Sequence, residues 1–212
     1  MELIDLIERL GDLPIVNTEL LFTGNAKPNS IKVQIARWHK AGKLIQLRRG
    51  IYLLAEPYRK VKIYEPFIAS VLNKPSYISL EKALEFHGLI PEAVPVYTSV
   101  TTKRPGKFET KIGVFDYRHI HVNLFWGYES VAHHNQTAFI ASPEKALLDF
   151  IYLKAPKVTM EYLTELRLQN MDKFSTHQLT EYAARFGKKK VMNAAKMIAQ
   201  YIRYQKSEGK KL

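Results

Sequence analysis

The chain has 212 residues, 46% of them hydrophobic and 25% charged, which is enough for one large domain or two modest domains with their own cores. It contains no cysteine, which excludes a disulfide framework, a thiolate zinc site and a cysteine nucleophile. No stretch approaches the roughly 20 apolar residues that a membrane helix requires, and the acidic start of the chain lacks the positive charge that begins a secretory signal. We therefore expect a cytoplasmic protein that makes no membrane contact.

The net charge of +12 is concentrated in two basic blocks. Residues 24–64 contain ten lysines and arginines against one acid, and residues 185–212 contain nine against one, whereas residues 65–184 are close to neutral. Clustered positive charge is the electrostatic signature of polyanion binding, because each phosphate that a cation neutralises releases condensed counterions. In the second block, Lys188, Lys189 and Lys190 form a candidate second basic patch for DNA, with a solvated helix start as the alternative.

The first 22 residues predict two helices. Four apolar residues spaced along one helical face predict a helix over Glu2–Leu10, which Gly11 ends. A second, short helix is expected from Asn17 or Thr18 through Phe22.

A basic helix comes next in the chain. Ile31, Ile35 and Trp38 recur at the spacing that places one apolar stripe against a core. The residues between them must therefore face outward, and several of these are lysine or arginine. Gly42 stands where a helix end favours a left-handed residue.

Two short apolar strands, over residues 43–47 and 51–54, follow this helix and are joined by Arg48, Arg49 and Gly50. A connection this tight needs a residue that tolerates positive φ, which Gly50 supplies, so two arginines project from the hairpin tip. The order helix, short helix, basic helix and hairpin is that of the winged helix-turn-helix, in which the third helix enters the major groove of DNA.

The sequence thus predicts a surface that binds double-stranded DNA. Phosphate contacts position a protein on the duplex and base contacts give specificity. We assign the hairpin and Lys43 mainly to phosphates or the minor groove, and the basic helix mainly to base reading. The candidate DNA-binding residues are Lys27, Ser30, Lys32, Gln34, Arg37, Lys40, Lys43, Arg48 and Arg49.

The rest of the chain predicts a mixed body. After helices near residues 64–72 and 80–87, the apolar period changes to two, which predicts an antiparallel sheet with strands at residues 96–102, 108–115, 119–124, 129–133 and 136–141. Helices are expected from residue 143 and over residues 160–169, 176–186 and 189–205. The predicted fold is α+β: an N-terminal winged-helix domain over residues 1–60, and a domain with an antiparallel sheet and C-terminal helices over residues 61–212, ending in a basic helical segment.

Three segments carry a family resemblance: LRRGIYLL from Leu47, PSYISLEKALEFHGL from Pro75 and SPEKALLDFIYL from Ser142. In this order they resemble the AbiEi family of bacterial antitoxins, over roughly residues 1–155. The resemblance implies a winged-helix domain that binds inverted repeats in the promoter of its own operon and represses it. It also implies a C-terminal domain that counteracts a nucleotidyltransferase-type toxin without a stable complex, as in type IV toxin-antitoxin (abortive infection) systems.

Carried over by position, the resemblance implies DNA contacts at Lys32, Arg37 and Lys40 on the helix and at Arg48 and Arg49 on the wing. It carries no side-chain motif for the antitoxic activity, and it implies no cofactor.

Enzymatic and metal-binding interpretations of the sequence are weaker than the DNA-binding interpretation. Glu109 and Lys111 form the E-x-K pair of metal-dependent nucleases. Such sites also need an aspartate upstream on a neighbouring strand, and this chain has none at that place. His133 and His134 are adjacent on a predicted strand and should point to opposite faces, which disfavours a shared metal ion.

Glu144 and Asp149 lie five residues apart on one predicted helix and so diverge, which favours capping and surface solvation over paired acid-base chemistry. No glycine-rich phosphate loop and no Gly-Ser dipeptide of a nucleotidyltransferase is present. We therefore expect a non-enzymatic regulator. The alternatives are a metal-dependent nuclease using Glu109 and Lys111, and a winged-helix regulator without a toxin partner.

Overall fold

The structure is a computed structural model that describes residues 2–22, 28–155, 157–171 and 174–208. Its N-terminal part contains the two early helices, the basic helix and the hairpin in the predicted order, with one additional strand. The elements are α1 (Leu3–Leu10), β1 (Ile15–Asn17), α2 (Thr18–Phe22), α3 (Pro28–Lys40), β2 (Leu44–Arg48) and β3 (Ile51–Leu54). Lys27, which the sequence places among the DNA-binding residues, lies outside the described residues.

A small hydrophobic core holds these elements together. Ile31, Ile35 and Trp38 of α3 are all buried, as their spacing predicts, and they pack with Leu6 of α1 and Leu44 of β2. Because these three side chains point inward, the basic side chains of α3 are left on its outer face.

The end of α3 confirms the role predicted for Gly42. This glycine has a φ of +72°. Its N–H donates to the carbonyl of His39 at 3.0 Å, and the N–H of Lys43 donates to the carbonyl of Trp38 at 2.9 Å. This Schellman arrangement satisfies the last carbonyls of the helix and turns the chain directly into β2.

The three short strands form one antiparallel sheet in the order β1-β3-β2. Strand β1 was not predicted, because three residues are too few to show an alternating pattern. It pairs with β3 from Ile15 opposite Leu53 to Asn17 opposite Ile51. The hairpin is therefore supported along β3 by a third strand.

The body contains a larger, six-stranded sheet in the order β6-β7-β5-β4-β9-β8. The α+β class, with antiparallel pairing and C-terminal helices, is confirmed. Two pairings in this sheet, β5 with β7 and β4 with β9, are parallel. The elements are α4 (Glu65–Leu72), β4 (Ser76–Ile78), α5 (Leu80–Phe86), β5 (Val96–Thr101), β6 (Gly106–Thr110), β7 (Gly113–His119), β8 (Tyr128–His133), β9 (Gln136–Ala141), α6 (Pro143–Leu153), α7 (Met160–Glu165), α8 (Thr176–Phe186) and α9 (Lys189–Glu208).

Three details of the predicted sheet are wrong. The expected single strand over residues 108–115 is divided between β6 and β7, with a turn at Lys111 and Ile112. The expected strand over residues 119–124 is absent, since β7 ends at His119 and a short 3₁₀ helix covers Val122–Leu124. Strand β4 was missed although it lies near the centre of the sheet. All three of its residues are buried, so it lacks the polar alternation from which half-exposed strands are recognised.

The small sheet packs on both sides. Val16, Leu44 and Leu54 belong to the N-terminal core, whereas Leu47 and Leu53 belong to the large core of the body. Successive side chains of a strand point to opposite faces of its sheet. One face of the small sheet therefore packs in the N-terminal core and the other in the core of the body. The domain division at residue 60 stays a prediction. None of the described helices has both the length and the apolar character needed to cross a membrane.

The expectation that Glu144 and Asp149 are solvated at the surface is wrong. The Glu144 residue is 3% exposed and Asp149 is fully buried. Glu144 accepts a hydrogen bond from the backbone N–H of Ser175 at the start of α8. Asp149 forms an ion pair with Lys145 one helical turn earlier, and Lys145 is buried as well.

Two hydroxyl groups complete the polar cluster around Asp149. Its carboxylate accepts hydrogen bonds from the hydroxyls of Tyr77 at 3.0 Å and Ser79 at 2.8 Å. The ammonium of Lys145 also donates to the Tyr77 hydroxyl, at 2.7 Å. Burial raises the pKa of Asp149 and lowers that of Lys145, while the attraction between the two charges opposes both shifts. This cluster links α6 to β4 and to the start of α5.

Candidate nucleic-acid interface

The outer face of α3 presents most of the residues that the sequence assigns to DNA. Ser30, Lys32, Arg37 and Lys40 are exposed, and Gln34 is half-buried. They lie on the part of the helix surface that the apolar stripe leaves free, because this stripe fixes the rotation of the helix about its axis. Projection from a helix buried on its opposite side is the geometry that groove reading requires.

Val33 is a residue of this face that the sequence analysis did not assign to DNA. It is 51% exposed and lies one turn before Arg37. In protein–DNA complexes, exposed apolar side chains of this kind contact the methyl group of thymine in the major groove. The signal was available in the sequence as a valine outside the apolar stripe.

The hairpin tip is anchored to the start of α2. Both the backbone N–H and the side-chain hydroxyl of Thr18 donate to the carbonyl of Gly50, at 2.9 and 3.2 Å. Gly50 has a φ of +81°, and a Cβ built there would lie 3.2 Å from the Thr18 hydroxyl. Arg48 and Arg49 are exposed. They extend from a hairpin backbone that these hydrogen bonds hold against the start of α2.

One cavity brings helix and hairpin residues together. It has a volume of about 560 Å³ and is lined by Lys32 of α3, by Arg48, Arg49 and Gly50 of the hairpin, and by residues of α2 that include Glu19. The three cations come from two elements that are separate in the sequence. Arg37, Lys40 and Lys43 do not line this cavity, so the predicted residues divide between the cavity and the flank of α3.

The body adjoins the hairpin. Strand β6, an outer strand of the large sheet, lies against β2. Burial raises the pKa of the Tyr117 hydroxyl in β7 far above its usual range, and the nearby positive charge of Arg48 opposes this shift. The loop before β6 contains the exposed residues Lys103 and Arg104. The contact between β2 and β6 could not be predicted from the sequence, because the two strands are distant along the chain.

The candidate second patch does not form one surface. Lys188 lines a cavity beside α8, whereas the ammonium of Lys190 donates to the carbonyl of Ala155 at 2.7 Å and lines a different cavity. Lys189 is exposed and lines neither cavity. Successive helical residues are about 100° apart around the axis, which separates these side chains.

The E-x-K pair does not form the arrangement of a nuclease site. Glu109 is paired with Lys107 at 2.6 Å on the exposed surface of β6, and this contact lowers the pKa of Glu109. Lys111 lies in the turn after β6.

The histidine rings of His133 and His134 lie 4.3 Å apart, since His134 has a φ of +45° and no longer follows the alternation of a strand. The expectation that they point apart is therefore wrong. Even so, the described ranges contain no group of three His, Asp or Glu side chains that could hold a metal ion.

Comparison of the chain with models of known protein families gives no match, and comparison with curated proteins gives none either.

Proposed function

We propose that this protein is a DNA-binding transcriptional repressor whose N-terminal part acts as a winged helix-turn-helix. The observation that carries the proposal is the convergence of Lys32 with Arg48 and Arg49 around one cavity between α3 and the hairpin. Neutralised phosphates are the main source of affinity in protein–DNA complexes. A basic helix beside a basic hairpin supplies both the base-reading and the phosphate-binding parts of such a complex.

The two elements have different roles in this proposal. Arg48 and Arg49, whose backbone is held by Thr18, contact phosphates or the minor groove. Lys32 and Arg37 on α3 contact base edges in the major groove, where lysine and arginine pair with guanine. Loss of a hairpin contact then weakens binding to every sequence, whereas loss of a helix contact weakens discrimination between sequences.

The test is a salt titration of duplex binding by fluorescence anisotropy. The probe is a duplex selected by the protein from a random library, and the competitor is a scrambled duplex. Arg48→Ala with Arg49→Ala should weaken binding to both duplexes and reduce the slope of log K against log salt by about one for each lost phosphate contact. Lys32→Ala or Arg37→Ala should reduce the preference for the selected duplex by roughly 1 to 3 kcal/mol.

The matched control is Lys74→Ala with Lys157→Ala, which removes the same charge from exposed sites elsewhere in the body. If this control weakens binding as much as the hairpin variant, net charge alone accounts for binding. The hairpin assignment is then wrong.

We further propose, from the resemblance to AbiEi antitoxins, that the repressor controls its own operon and that the body counteracts a nucleotidyltransferase-type toxin encoded beside it. The supporting features are the three segments in family order. The segment from Pro75 forms β4 and α5, and the segment from Ser142 forms α6. Expression of the neighbouring nucleotidyltransferase with and without this chain tests the proposal. Growth rescue by residues 61–212 alone would place the antitoxic activity in the body. Failure of the full chain to rescue growth would leave a repressor without a toxin partner.

A further inference from the structure

A second basic cleft lies in the body, on the side of α8. It has a volume of about 430 Å³, and its lining includes Arg185 and Phe186 at the end of α8, Lys188 before α9, Tyr152 of α6, and His121 and Asn123 beside the 3₁₀ helix. Among the residues that the structure describes, no aspartate or glutamate lines this cleft. Elements that are distant in the sequence therefore bring positive charge to one concave surface, and no described carboxylate neutralises it there.

Arg185 is held in place by an aromatic ring. Its guanidinium carbon lies 4.1 Å from the ring centroid of Trp126. The indole N–H of Trp126 donates to the carbonyl of Asn123 at 3.0 Å, which fixes the ring. Among the described residues Arg185 forms no ion pair with a carboxylate. A guanidinium stacked on a ring keeps its N–H donors in its own plane, where they can bind an anion.

Two further donors line the same cleft. Nδ1 of His121 accepts a hydrogen bond from the backbone N–H of Asn123 at 3.3 Å. In the neutral ring the proton is then on Nε2, which is a donor. Lys188 is exposed, and its ammonium can move toward an anion in the cleft.

We propose that the cleft formed by Arg185, Lys188 and His121 binds a phosphate group. Two cations match the charge of a phosphate better than that of a carboxylate, and three donor side chains on separate segments can share its oxygens. The volume leaves room for the remainder of a phosphate ester beside Tyr152. The phosphate comes either from a free nucleotide or from the backbone of DNA. The inference is independent of the hairpin interface, because all described residues that line the cleft belong to the body.

The full-length chain offers a direct reporter of this site. Trp126 is one of two tryptophans, and the other, Trp38, is buried in the N-terminal core. Titration with pyrophosphate or ATP should change the emission of Trp126 in a saturable way, and Trp126→Phe should remove that change. Isothermal titration calorimetry measures the same affinity without depending on the environment of the indole.

Matched variants separate a site from general charge. Arg185→Gln and Lys188→Gln should each weaken the affinity about tenfold or more, because each removes a charge-assisted hydrogen bond. Lys196→Gln and Arg203→Gln remove the same charge from exposed positions on α9 outside the cleft, and they should leave the affinity unchanged. If Arg185→Gln fails to fold, Lys188→Gln carries the test, because its side chain has no partner among the described residues.

The probe that binds in the cleft identifies the source of the phosphate. Binding of pyrophosphate and ATP that depends on Arg185 and Lys188 identifies a free phosphate ester. A response to duplex DNA alone, with the same dependence, identifies the DNA backbone. The proposal is overturned if none of the three probes binds in a manner that depends on Arg185 and Lys188. It is also overturned if Lys196→Gln weakens binding as much as Lys188→Gln.

Discussion

The buried pair Lys145 and Asp149 should be the most sensitive point of the fold. Lys145→Met removes the ammonium and leaves a buried carboxylate that keeps only the hydroxyls of Tyr77 and Ser79 as donors. Removal of one partner of a buried ion pair costs about 3 to 5 kcal/mol, since the other charge stays desolvated. At about 2 to 4 °C per kcal/mol for a chain of this size, the melting temperature should fall by roughly 6 to 20 °C.

The double variant distinguishes a coupled pair from two independent side chains. Asp149→Asn keeps an oxygen that can accept from Tyr77 and Ser79, so Lys145→Met with Asp149→Asn removes both charges and retains those hydrogen bonds. The double variant should therefore cost less than the sum of the single variants, by about 2 kcal/mol or more. The measurement is urea unfolding followed by fluorescence of Trp126, whose ring centroid lies 5.0 Å from the ammonium of Lys145.

The control is the ion pair of Lys154 with Glu81, which is partly exposed to solvent. Lys154→Met should cost less than about 1 kcal/mol, because solvent screens such pairs. If the costs of Lys145→Met and Asp149→Asn add within about 0.5 kcal/mol, the two charges are not coupled and the reasoning from burial is refuted.

The pH dependence of Lys145→Met has a definite sign. Burial raises the pKa of Asp149 in the folded state, and loss of Lys145 removes the largest opposing influence. A carboxyl with a raised pKa favours folding below its unfolded pKa of about 4, and this contribution is lost as the pH rises through the folded value. The stability difference between Lys145→Met and the parent chain should therefore be smaller at acidic than at neutral pH, by urea unfolding. A stability difference that grows on acidification would contradict this prediction.

Three further predictions concern the interface and the core. Val33→Ala should weaken binding to a selected duplex that contains thymine. It should not weaken binding to the same duplex with deoxyuridine in place of thymine, because deoxyuridine lacks the methyl group. Equal losses of affinity for the two duplexes, measured by anisotropy, would refute the contact. Gly50→Ala should destabilise the chain by about 1 to 3 kcal/mol in urea unfolding, because of its positive φ and the nearby Thr18 hydroxyl, and an unchanged midpoint would contradict this. Tyr117→Phe should cost about 1 to 3 kcal/mol by the same measurement, because the tyrosine hydroxyl donates to the buried carbonyl of Ala69 at 2.6 Å, and a neutral effect would show that this bond contributes nothing.

The sequence by itself determined the features that depend on neighbouring residues. The apolar stripe of α3, the glycine that ends it and the turn at Gly50 were all predictable, because helix periodicity and positive φ are properties of short segments. For the same reason the helix start at residue 143 was predictable, and the Ser142 hydroxyl caps α6 there by accepting from the N–H of Lys145 at 3.3 Å.

Only the tertiary structure decided what depends on contacts between distant segments. Asp149 was expected at the surface, and it is buried because Tyr77 and Ser79, about 70 residues earlier, supply hydroxyls that a linear pattern does not pair with it. The cleft with Arg185 beside Trp126 and the cavity that joins Lys32 to Arg48 arise in the same way. A sequence pattern records which face of an element is apolar, but the partner of a buried polar group is set by the packing of whole elements. The residues that carry charge were visible in the chain, and the sites at which they converge were not.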